Sequence, residues 1–527
     1  MNDTLAQLSS SARAAAQKKD WAKVQAAASE IIRLDKNSPE GYFLKGLVEK
    51  ASHSPVKAID AFERALELDD NRYDAAIELA DQLIISLRNG EARFLVEKYN
   101  GRLTNSPRYL DMAGTVLSHI GLYKEAWPLY KKANELQPEI ELFQANMAAC
   151  GVFIGEIDES KRIYQNLLQN KPWHQRNHYQ LARMEKAKDH RHVDQMQKIL
   201  FSNNMSADKN IYLYYAIGKE LEDLEEWDKA FLYYKKAGDA VVSVANYEFS
   251  NDEVLLDRIV EVCNADWLDA NVIENPMDVL GKTPVFVLGL PRTGTTLAER
   301  IISSHSKVRS LGETEFIEVA IRRESKVETI ERVNTDIIDA AAATDIHDIA
   351  NAYLNYIEYA LGDEPVFVDK LPYNFMYIGF IAKAFPGGKI VHLQRHPLDA
   401  CFAMYKQVFT WAYKFSYSLE DLGKFYIAYT RMMDHWRSLL GDRLIEVKYE
   451  DLVTDQENQT RLLLDKLGLD FEDACLNFEQ NASAIATASS VQVREKIHDR
   501  SVARWKLFER HLAPLSKQLE NAGIDVS

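Results

Sequence analysis

Hydrophobic and polar residues in the first half of the chain alternate with the period of an α-helix. In KAIDAFERALEL, KEAWPLYKKANEL and DKAFLYYKKAG, small and aromatic residues recur at i, i+3, i+4 and i+7, which places them on one narrow packing face. The polar breaks between these segments also recur, since Asn37, Asn71 and Asn105 are equally spaced along the chain. The pattern predicts helix pairs repeated along the chain over roughly residues 1–245.

A period of about 34 residues, with alanines at helix contacts and Pro or Asn at the turns, resembles a tetratricopeptide array. Residues 175–225 fit the period least, which indicates a degenerate repeat or a longer helix there. We expect an all-α, tetratricopeptide-like solenoid as a domain over residues 1–265. Such an array serves either as a spacer or dimerisation arm or as a peptide-binding groove, and the pattern favours neither.

From about residue 282 the pattern changes to short apolar runs, each followed by a helical segment. The runs are TPVFVLGL, EPVFVDK, GKIVHLQR and DRLIEVKYE, and they predict a parallel sheet with crossover helices. We therefore expect an α/β, P-loop-like domain over residues 266–527. Ligands bind beyond the carboxyl ends of such strands. The residues at those four ends are Arg292, Lys370, Arg395 and Tyr449.

The first run leads into GLPRTGTT, Gly289 to Thr296, which has the G-x-x-x-x-G-x-[ST] spacing of a phosphate-binding loop. A nucleotide triphosphatase has a lysine where this chain has Thr295, and the loop carries Arg292 instead. Backbone N–H groups at a helix N-terminus hold an anion without a metal, and an arginine adds a forked donor. Asp369 is the only candidate that we find for a magnesium-binding strand end. The loop thus predicts a metal-free phosphate site.

Composition narrows the class of partner. The formal net charge of −16 argues against nucleic acid as a general ligand. The four cysteines, none in a CxxC pair, indicate reduced thiols. Neither a signal-peptide h-region nor an apolar run of membrane-spanning length is present in the sequence. We expect a cytoplasmic protein without a membrane span.

The strand-end motifs together carry a family resemblance. PRTGTT, Lys370 in VDKLPYN, Arg395 in QRHPLDACFAMY and Tyr449 in VKYEDL resemble the sulfotransferases that use 3′-phosphoadenosine-5′-phosphosulfate (PAPS). The similarity covers about residues 282–510. It is greatest to the protein-tyrosine type and to bacterial proteins that join tetratricopeptide repeats to such a domain.

The resemblance implies a role for each matching residue. Lys370 would be catalytic, stabilising the phosphate oxygen that leaves, and Arg395 would bind the 3′-phosphate. Tyr449 would lie near the adenosine. The C-terminal segment from Gln492 to Trp505 resembles the family's nucleotide flap, but its basic residues do not align cleanly with the family's donors, and we choose Arg494 as the second contact to the 3′-phosphate. The 5′-phosphosulfate would be bound by the loop residues Arg292, Thr293, Gly294, Thr295 and Thr296.

The acceptor hydroxyl also needs a base. Small-molecule sulfotransferases have a histidine two residues after the lysine, where this chain has Pro372. The tyrosine-type enzymes use a glutamate after the loop helix, and Glu313 in LGETEF falls in that register. We favour Glu313 as the catalytic base, with Glu315 as the alternative.

One position departs from the family pattern. The 3′-phosphate motif usually has a serine where this chain has Ala403. The change removes one hydrogen bond to phosphate, worth about 1 kcal/mol, unless Lys406 or Gln407 compensates.

The sequence as a whole predicts a PAPS-dependent, metal-free sulfotransferase that acts on a hydroxyl acceptor, with a protein tyrosine presented by the repeats as one candidate. A homodimer is compatible with the repeats. Two alternatives are a repeat scaffold whose second domain binds the donor but is inactive, and a P-loop kinase. The sequence does not identify the acceptor.

Overall fold

The computed structural model describes residues 2–202, 204–278, 280–409, 412–487 and 489–527. The chain divides into two compact units, Met1–Ser160 and Lys161–Ser527. This division is by compactness, so the domain boundary predicted after residue 265 stays a prediction. Within the described ranges, no helix is both long and apolar enough to cross a membrane.

The N-terminal region is built from consecutive helices, as the period predicts. Starting at Pro39, the first helix of each pair begins one full period after the one before it, at Tyr73, Pro107 and Glu141. The all-helical, tetratricopeptide-like prediction is confirmed. The helices are α1 (Asn2–Gln17), α2 (Trp21–Leu34), α3 (Pro39–Ala51), α4 (Pro55–Leu68), α5 (Tyr73–Ile85), α6 (Asn89–Tyr99), α7 (Pro107–His119), α8 (Tyr123–Leu136), α9 (Glu141–Ile154) and α10 (Ile157–Asn170).

The repeat continues into the second unit in a less regular form. There α11 is 10 residues long, and the interval from the start of α11 to the start of α13 is two positions longer than the regular period. The irregular region is thus a degenerate repeat and not a longer helix. These helices are α11 (Gln175–Met184), α12 (Arg191–Ser202), α13 (Ile211–Asp223), α14 (Trp227–Ala245), α15 (Phe249–Val262) and α16 (Ala265–Asp269).

A five-stranded parallel sheet of order β2-β3-β1-β4-β5 forms the centre of the C-terminal region. The α/β prediction is confirmed, and the four expected strands are present. The sequence pattern did not predict β2, a short edge strand whose residues after the first are only half-buried. The strands are β1 (Thr283–Gly289), β2 (Val308–Gly312), β3 (Val366–Lys370), β4 (Lys389–Gln394) and β5 (Leu444–Lys448).

Helices cover the sheet, and its strands are therefore apolar on both sides. Val285, Val287 and Val368 belong to a core that also contains Ile301 and Ile302 from the helix after β1. The helices are α17 (Thr295–Ser303), α18 (Phe316–Ser325), α19 (Thr335–Ala342), α20 (Ile346–Ile357), α21 (Ile378–Ala384), α22 (Pro397–Tyr405), α23 (Leu419–Leu440), α24 (Tyr449–Thr454), α25 (Gln456–Leu467) and α26 (Glu509–Asn521).

The last repeat helices, α13 and α14, pack into the same unit as the sheet. The Tyr215 hydroxyl donates to the carbonyl of Tyr405 at 3.3 Å, and the ring of Phe231 stacks on His511 with centroids 4.2 Å apart. A Cβ at Gly238 would lie 2.5 Å from the carbonyl oxygen of Tyr417. This pair of helices is therefore part of the core that surrounds the sheet.

Candidate active site

The carboxyl end of every strand carries one candidate residue. Lys370 is the last residue of β3, while Glu313, Arg395 and Tyr449 immediately follow β2, β4 and β5, and Arg292 lies in the loop after β1. In a parallel sheet these ends form one edge, which is where ligands bind.

The loop after β1 has the geometry of an anion cradle. Gly289 and Gly294 adopt φ of 142° and 101°, which a side chain would strain. A Cβ at Gly289 would lie 2.7 Å from the carbonyl oxygen of Leu393, and one at Gly294 would lie 2.7 Å from Cδ2 of Tyr449. The loop ends at α17, whose N-terminus has no side-chain cap. Its first N–H groups are donors for an anion.

The threonines of the loop differ in their contacts. Thr293 donates from Oγ1 to the carbonyl of Leu290 at 2.7 Å, which ties the loop to itself. Thr295 and Thr296 are buried in the first turn of α17, and Oγ1 of Thr296 donates to Thr487 at 3.4 Å. All three are in or beside the turn that presents the helix N-terminus.

Two arginines lie side by side at this edge. Arg395 donates from Nη1 to the carbonyl of Arg292 at 2.8 Å, and its guanidinium carbon lies 4.9 Å from the ring centroid of Tyr449. Burial, with the neighbouring charge of Arg395, lowers the pKa of Arg292 to about 10. Nε of Arg395 is buried and has no hydrogen-bond partner among the described residues. The pair thus presents concentrated positive charge, which an anion would stabilise.

A C-terminal segment covers the loop. Arg292 donates from Nη2 to Gln492 at 2.8 Å and from Nη1 to Ser489. Arg395 donates from Nη2 to the carbonyl of Ser501 at 2.5 Å. The segment therefore offers oxygen atoms to the same guanidinium groups that are candidates for binding phosphate.

Arg494 belongs to this segment but lies next to another cation. Together with burial, its charge lowers the pKa of Arg300, a buried residue of α17, to about 10. Arg494 is therefore within electrostatic range of Arg300 on α17, and its role at a 3′-phosphate stays a prediction.

An ammonium group lies between two carboxylates at the end of β3. Lys370 is fully buried, and its Nζ is 2.5 Å from Oε1 of Glu313 and 3.5 Å from Oε2 of Glu299. Burial opposes the charged form, but the two carboxylates raise the pKa of Lys370 above its ordinary value. The group is a cation beside a base, at the same edge as the phosphate loop. Glu299 was not among the predicted residues, although Glu299 and Arg300 are adjacent charges in the otherwise apolar stretch LAERII.

Asp369, which precedes Lys370, has a different environment. It is fully buried and accepts hydrogen bonds from Thr314 at 2.6 Å, Tyr353 at 2.8 Å and Asn374 at 3.4 Å. Burial raises the pKa of Asp369 to about 6. These bonds connect β3 to the segment that carries Glu313. Among the described residues, no group of three or more His, Cys, Asp or Glu side chains is arranged to hold a metal.

The comparison with protein families decides what this domain is. Residues 284–473 match the sulfotransferase family, and the range includes the candidate residue at the end of every strand. The C-terminal region contains a sulfotransferase-family domain.

Relatives share both this domain and a longer part of the chain. An uncharacterized protein from Aquifex aeolicus (strain VF5) is 29% identical over 427 residues, which are 79% of this chain and 55% of that protein. Protein-tyrosine sulfotransferase 1 from Danio rerio is 25% identical over 260 residues, which are 46% of this chain and 72% of that protein. The chain thus spans about half the length of the Aquifex relative.

Solved structures resemble each region separately. The sulfotransferase domain from the curacin biosynthetic pathway aligns with a TM-score of 0.33 and 16% identity, over 47% of this chain and 99% of that domain. YrrB, a TPR protein with an unusual peptide-binding site, aligns with a TM-score of 0.29 and 18% identity, over 40% of this chain and 98% of that protein. The fold assignment rests on the strand order and helix pairs described above.

Within the sulfotransferase domain, the two candidate bases face different partners. Glu313 contacts Lys370, whereas Glu315 pairs with Arg332 at 3.0 Å and is 62% exposed. Of these two glutamates, Glu313 is the one that touches the buried ammonium group, and the choice between them as base stays a prediction.

The residues that follow Ala403 bond to the repeat helices. Lys406 donates to both oxygens of Glu222 in α13, at 2.8 and 3.0 Å, and Gln407 donates to the hydroxyl of Tyr179 in α11 at 3.0 Å. Burial, with Arg504 and Arg395 nearby, lowers the pKa of Lys406 against the opposing effect of Glu222. Lys406 and Gln407, the two residues that could replace the hydrogen bond missing at Ala403, are thus already bonded to Glu222 and Tyr179 in this structure.

Proposed function

We propose that the domain transfers a sulfuryl group from PAPS to a hydroxyl acceptor. The observation that carries this proposal is the contact between Lys370 and Glu313, a buried ammonium against a carboxylate, at the edge of the sheet that also carries the phosphate loop. Hydroxyl sulfation needs a base for the acceptor and a cation for the leaving group, and this pair supplies both.

The residues at the edge fit such a donor. The uncapped N-terminus of α17 and Arg292 suit a 5′-phosphosulfate, while Arg395 suits a second phosphate. Its buried Nε has no hydrogen-bond partner among the described residues, so an added phosphate oxygen would satisfy an otherwise unpaired donor. Tyr449 lies against Arg395, next to the position proposed for the nucleoside.

The donor would supply a sulfuryl group bonded to a phosphate leaving group. Glu313 takes the proton of the acceptor hydroxyl as the acceptor oxygen bonds to sulfur. Lys370 stabilises the negative charge that develops on the phosphate oxygen when its bond to sulfur breaks. The products are the sulfated acceptor and adenosine 3′,5′-bisphosphate.

For the acceptor we favour a tyrosine hydroxyl on a protein. The support is the resemblance to Danio rerio protein-tyrosine sulfotransferase 1, together with a helical array of the kind that holds peptides. Independence from metal, a cytoplasmic location and a homodimer stay predictions. A donor-binding scaffold and a kinase are the competing functions.

Two substitutions should separate donor binding from chemistry. We expect Arg395→Ala to weaken the binding of adenosine 3′,5′-bisphosphate by roughly 2–4 kcal/mol, because a charge-assisted contact to the 3′-phosphate is lost. Calorimetry measures this change in binding free energy. Adenosine 5′-phosphosulfate, which lacks that phosphate, should be hardly affected. Glu313→Gln should keep the bisphosphate bound but lower turnover with a tyrosine peptide by about 10²–10⁴-fold.

Arg431→Ala is the matched control, since Arg431 is 57% exposed on α23 and pairs with surface carboxylates. Equal losses for both nucleotides would remove Arg395 from the 3′-phosphate site. Binding of bisphosphate without any transfer by the wild type would favour the scaffold, and magnesium-dependent binding of ATP in its place would favour the kinase.

A further inference from the structure

Lys370 has two counter-ions, and they differ in exposure and support. The side chain of Glu313 is 32% exposed, whereas that of Glu299 is 10% exposed. Glu299 lies on α17 and accepts a hydrogen bond from Ser310 of β2 through Oε1 at 2.6 Å. Its other oxygen, Oε2, faces Lys370 at 3.5 Å. One carboxylate is thus open to a ligand, and the other is held between a helix and a strand.

The proposed reaction gives these carboxylates unequal tasks. When Glu313 accepts a proton it loses its charge, and its attraction for Lys370 weakens at the moment when the ammonium group is needed. A buried ammonium without a nearby negative charge loses its proton readily, because burial favours the neutral amine. A second carboxylate that takes no part in proton transfer would keep Lys370 charged throughout the reaction.

We propose that Glu299 is a positioning residue for Lys370, which it holds as an ammonium group directed at the leaving phosphate oxygen while Glu313 is protonated. The inference rests on the proposed sulfuryl transfer. It assigns the exposed carboxylate to the acceptor and the buried one to the lysine. Ser310 fixes Glu299 by occupying the oxygen that does not face Lys370.

The charged groups around Lys370 define the expected pH effect. Glu313 and Glu299 are the partners that raise its pKa, Asp369 on the same strand is in electrostatic range of Glu299, and Tyr413 is in range of Glu313. Without Glu299 the pKa of Lys370 falls. The active ammonium form is then lost at a lower pH, so the alkaline limb of the profile of rate against pH shifts to lower pH.

The test compares Glu299→Gln, Glu299→Asp and Ser310→Ala in the 527-residue chain. Glu299→Gln should lower kcat by about 10- to 100-fold, the range typical of a residue that orients a functional group, with the KM for PAPS unchanged and the alkaline limb displaced to lower pH. Glu299→Asp keeps the charge and should recover part of the rate. Ser310→Ala loosens Glu299 and also removes the hydrogen bond that Oγ of Ser310 accepts from the N–H of Gly312 at 3.0 Å. It should show a smaller shift of the alkaline limb in the same direction, and it serves as the test if Glu299→Gln does not fold.

A second readout does not depend on activity. In protein labelled with ¹⁵N-lysine, the Nζ signal of Lys370, assigned by its loss in Lys370→Met, should titrate at lower pH in Glu299→Gln than in the wild type. If the wild type transfers no sulfuryl group, the proposed function fails, and this titration still decides whether Glu299 sustains the ammonium. An unshifted Nζ titration overturns the inference, and so does a loss of rate with an unchanged pH profile, because either result would leave Glu299 as a tie between α17 and β2 only.

Discussion

Two helix pairs of the repeat use the same packing motif with different polar partners. In α7/α8, a Cβ at Gly114 would lie 2.9 Å from the ring of Tyr130, and in α13/α14 a Cβ at Gly218 would lie 2.8 Å from the ring of Tyr234. The spacing between glycine and tyrosine is the same in both pairs. The absence of a side chain lets an aromatic ring lie against the first helix in both pairs.

The hydroxyl groups of the two tyrosines have unlike environments. Tyr130 contacts Ser118 at 3.2 Å and Thr115 at 3.3 Å, both within its own helix pair. Tyr234 donates to Glu222 at 2.9 Å. Ser118 and Glu222 occupy the same repeat position, four residues after the glycine.

The residue at this repeat position, Ser118 or Glu222, also differs in its partners elsewhere in the chain. Glu222 accepts hydrogen bonds from Lys406 at 2.8 Å and from Arg504 at 3.2 Å, both in the C-terminal region. The serine in α7 contacts a tyrosine of its own helix pair, whereas the glutamate in α13 forms a half-buried ion cluster with residues far along the chain. The comparison teaches that two helix pairs with the same glycine–tyrosine contact bind different partners when the polar residue beside the tyrosine differs. In α13/α14, further contacts with the C-terminal region come from Tyr215, Phe231 and Gly238.

Deleting all residues before the sheet, including the α13/α14 pair, should have the largest effect. A fragment of residues 282–527 loses the partners of Tyr405, Lys406 and Arg504, and we expect it to be insoluble because a large aromatic surface becomes exposed. A fragment of residues 161–527, which is the compact second unit, should be soluble and unfold cooperatively. Size-exclusion chromatography and calorimetry check both. A soluble, folded 282–527 fragment would show that α13 and α14 are dispensable.

Substitution at the distinguishing position should have the next largest effect. Glu222→Ala leaves the half-buried cations Lys406 and Arg504 without their carboxylate and should destabilise the second unit by about 3 kcal/mol. Ser118→Ala, the equivalent change in α7, removes one neutral contact and should cost about 1 kcal/mol or less. Denaturant unfolding, followed separately for the two units by hydrogen exchange, measures the difference. Similar losses of unfolding free energy in the two variants would show that Glu222 stabilises its helix pair no more than Ser118 does.

The smallest predicted effect concerns the tyrosines themselves. Tyr234→Phe removes a hydrogen bond to a charged acceptor and should cost about 1.5–3 kcal/mol, whereas Tyr130→Phe removes neutral contacts and should cost about 0.5–1.5 kcal/mol. Because the ring remains in each variant, packing is matched and the difference isolates the hydroxyl group. Protection of the amides of α14 and α8 reports each cost, and a larger loss in α8 would reverse the comparison.

Local patterns were enough to predict most of the fold. The regular repeat interval follows from helix pairs that stack in register, and apolar runs such as TPVFVLGL are buried strands, so both are visible in a short window of sequence. Lys370 was found at the end of an apolar run and Glu313 by its register in the family resemblance, and the structure brings them into contact. The strand β2 was missed because a short, largely half-buried edge strand has no such run.

The remaining features depend on residues distant in sequence. Lys406 was considered as a contact to phosphate, but its carboxylate partner Glu222 is 184 residues away. Arg292 and Ser489 are 197 residues apart. No periodicity or spacing rule connects such positions, because their approach is decided by how whole elements pack. The sequence therefore predicted which residues lie at the site, but it could not predict their hydrogen-bond and ion partners.

The register of β3 against β1 determines whether a positive or a negative side chain faces the candidate site. Asp369 is paired with Phe286 and Lys370 with Val287, and neighbouring strand residues face opposite sides of a sheet. A slip of one residue would bring a carboxylate to the place of the ammonium group.

The apolar part of β3, Val366 to Val368, would not oppose that slip, since an all-buried parallel strand lacks the polar alternation that specifies register. The hydrogen bonds of Asp369 to Thr314, Tyr353 and Asn374 and the ion contacts of Lys370 would all be lost. The charged residues at the end of this strand thus specify its register, and the same side chains that give the candidate site its charge also fix where that charge lies.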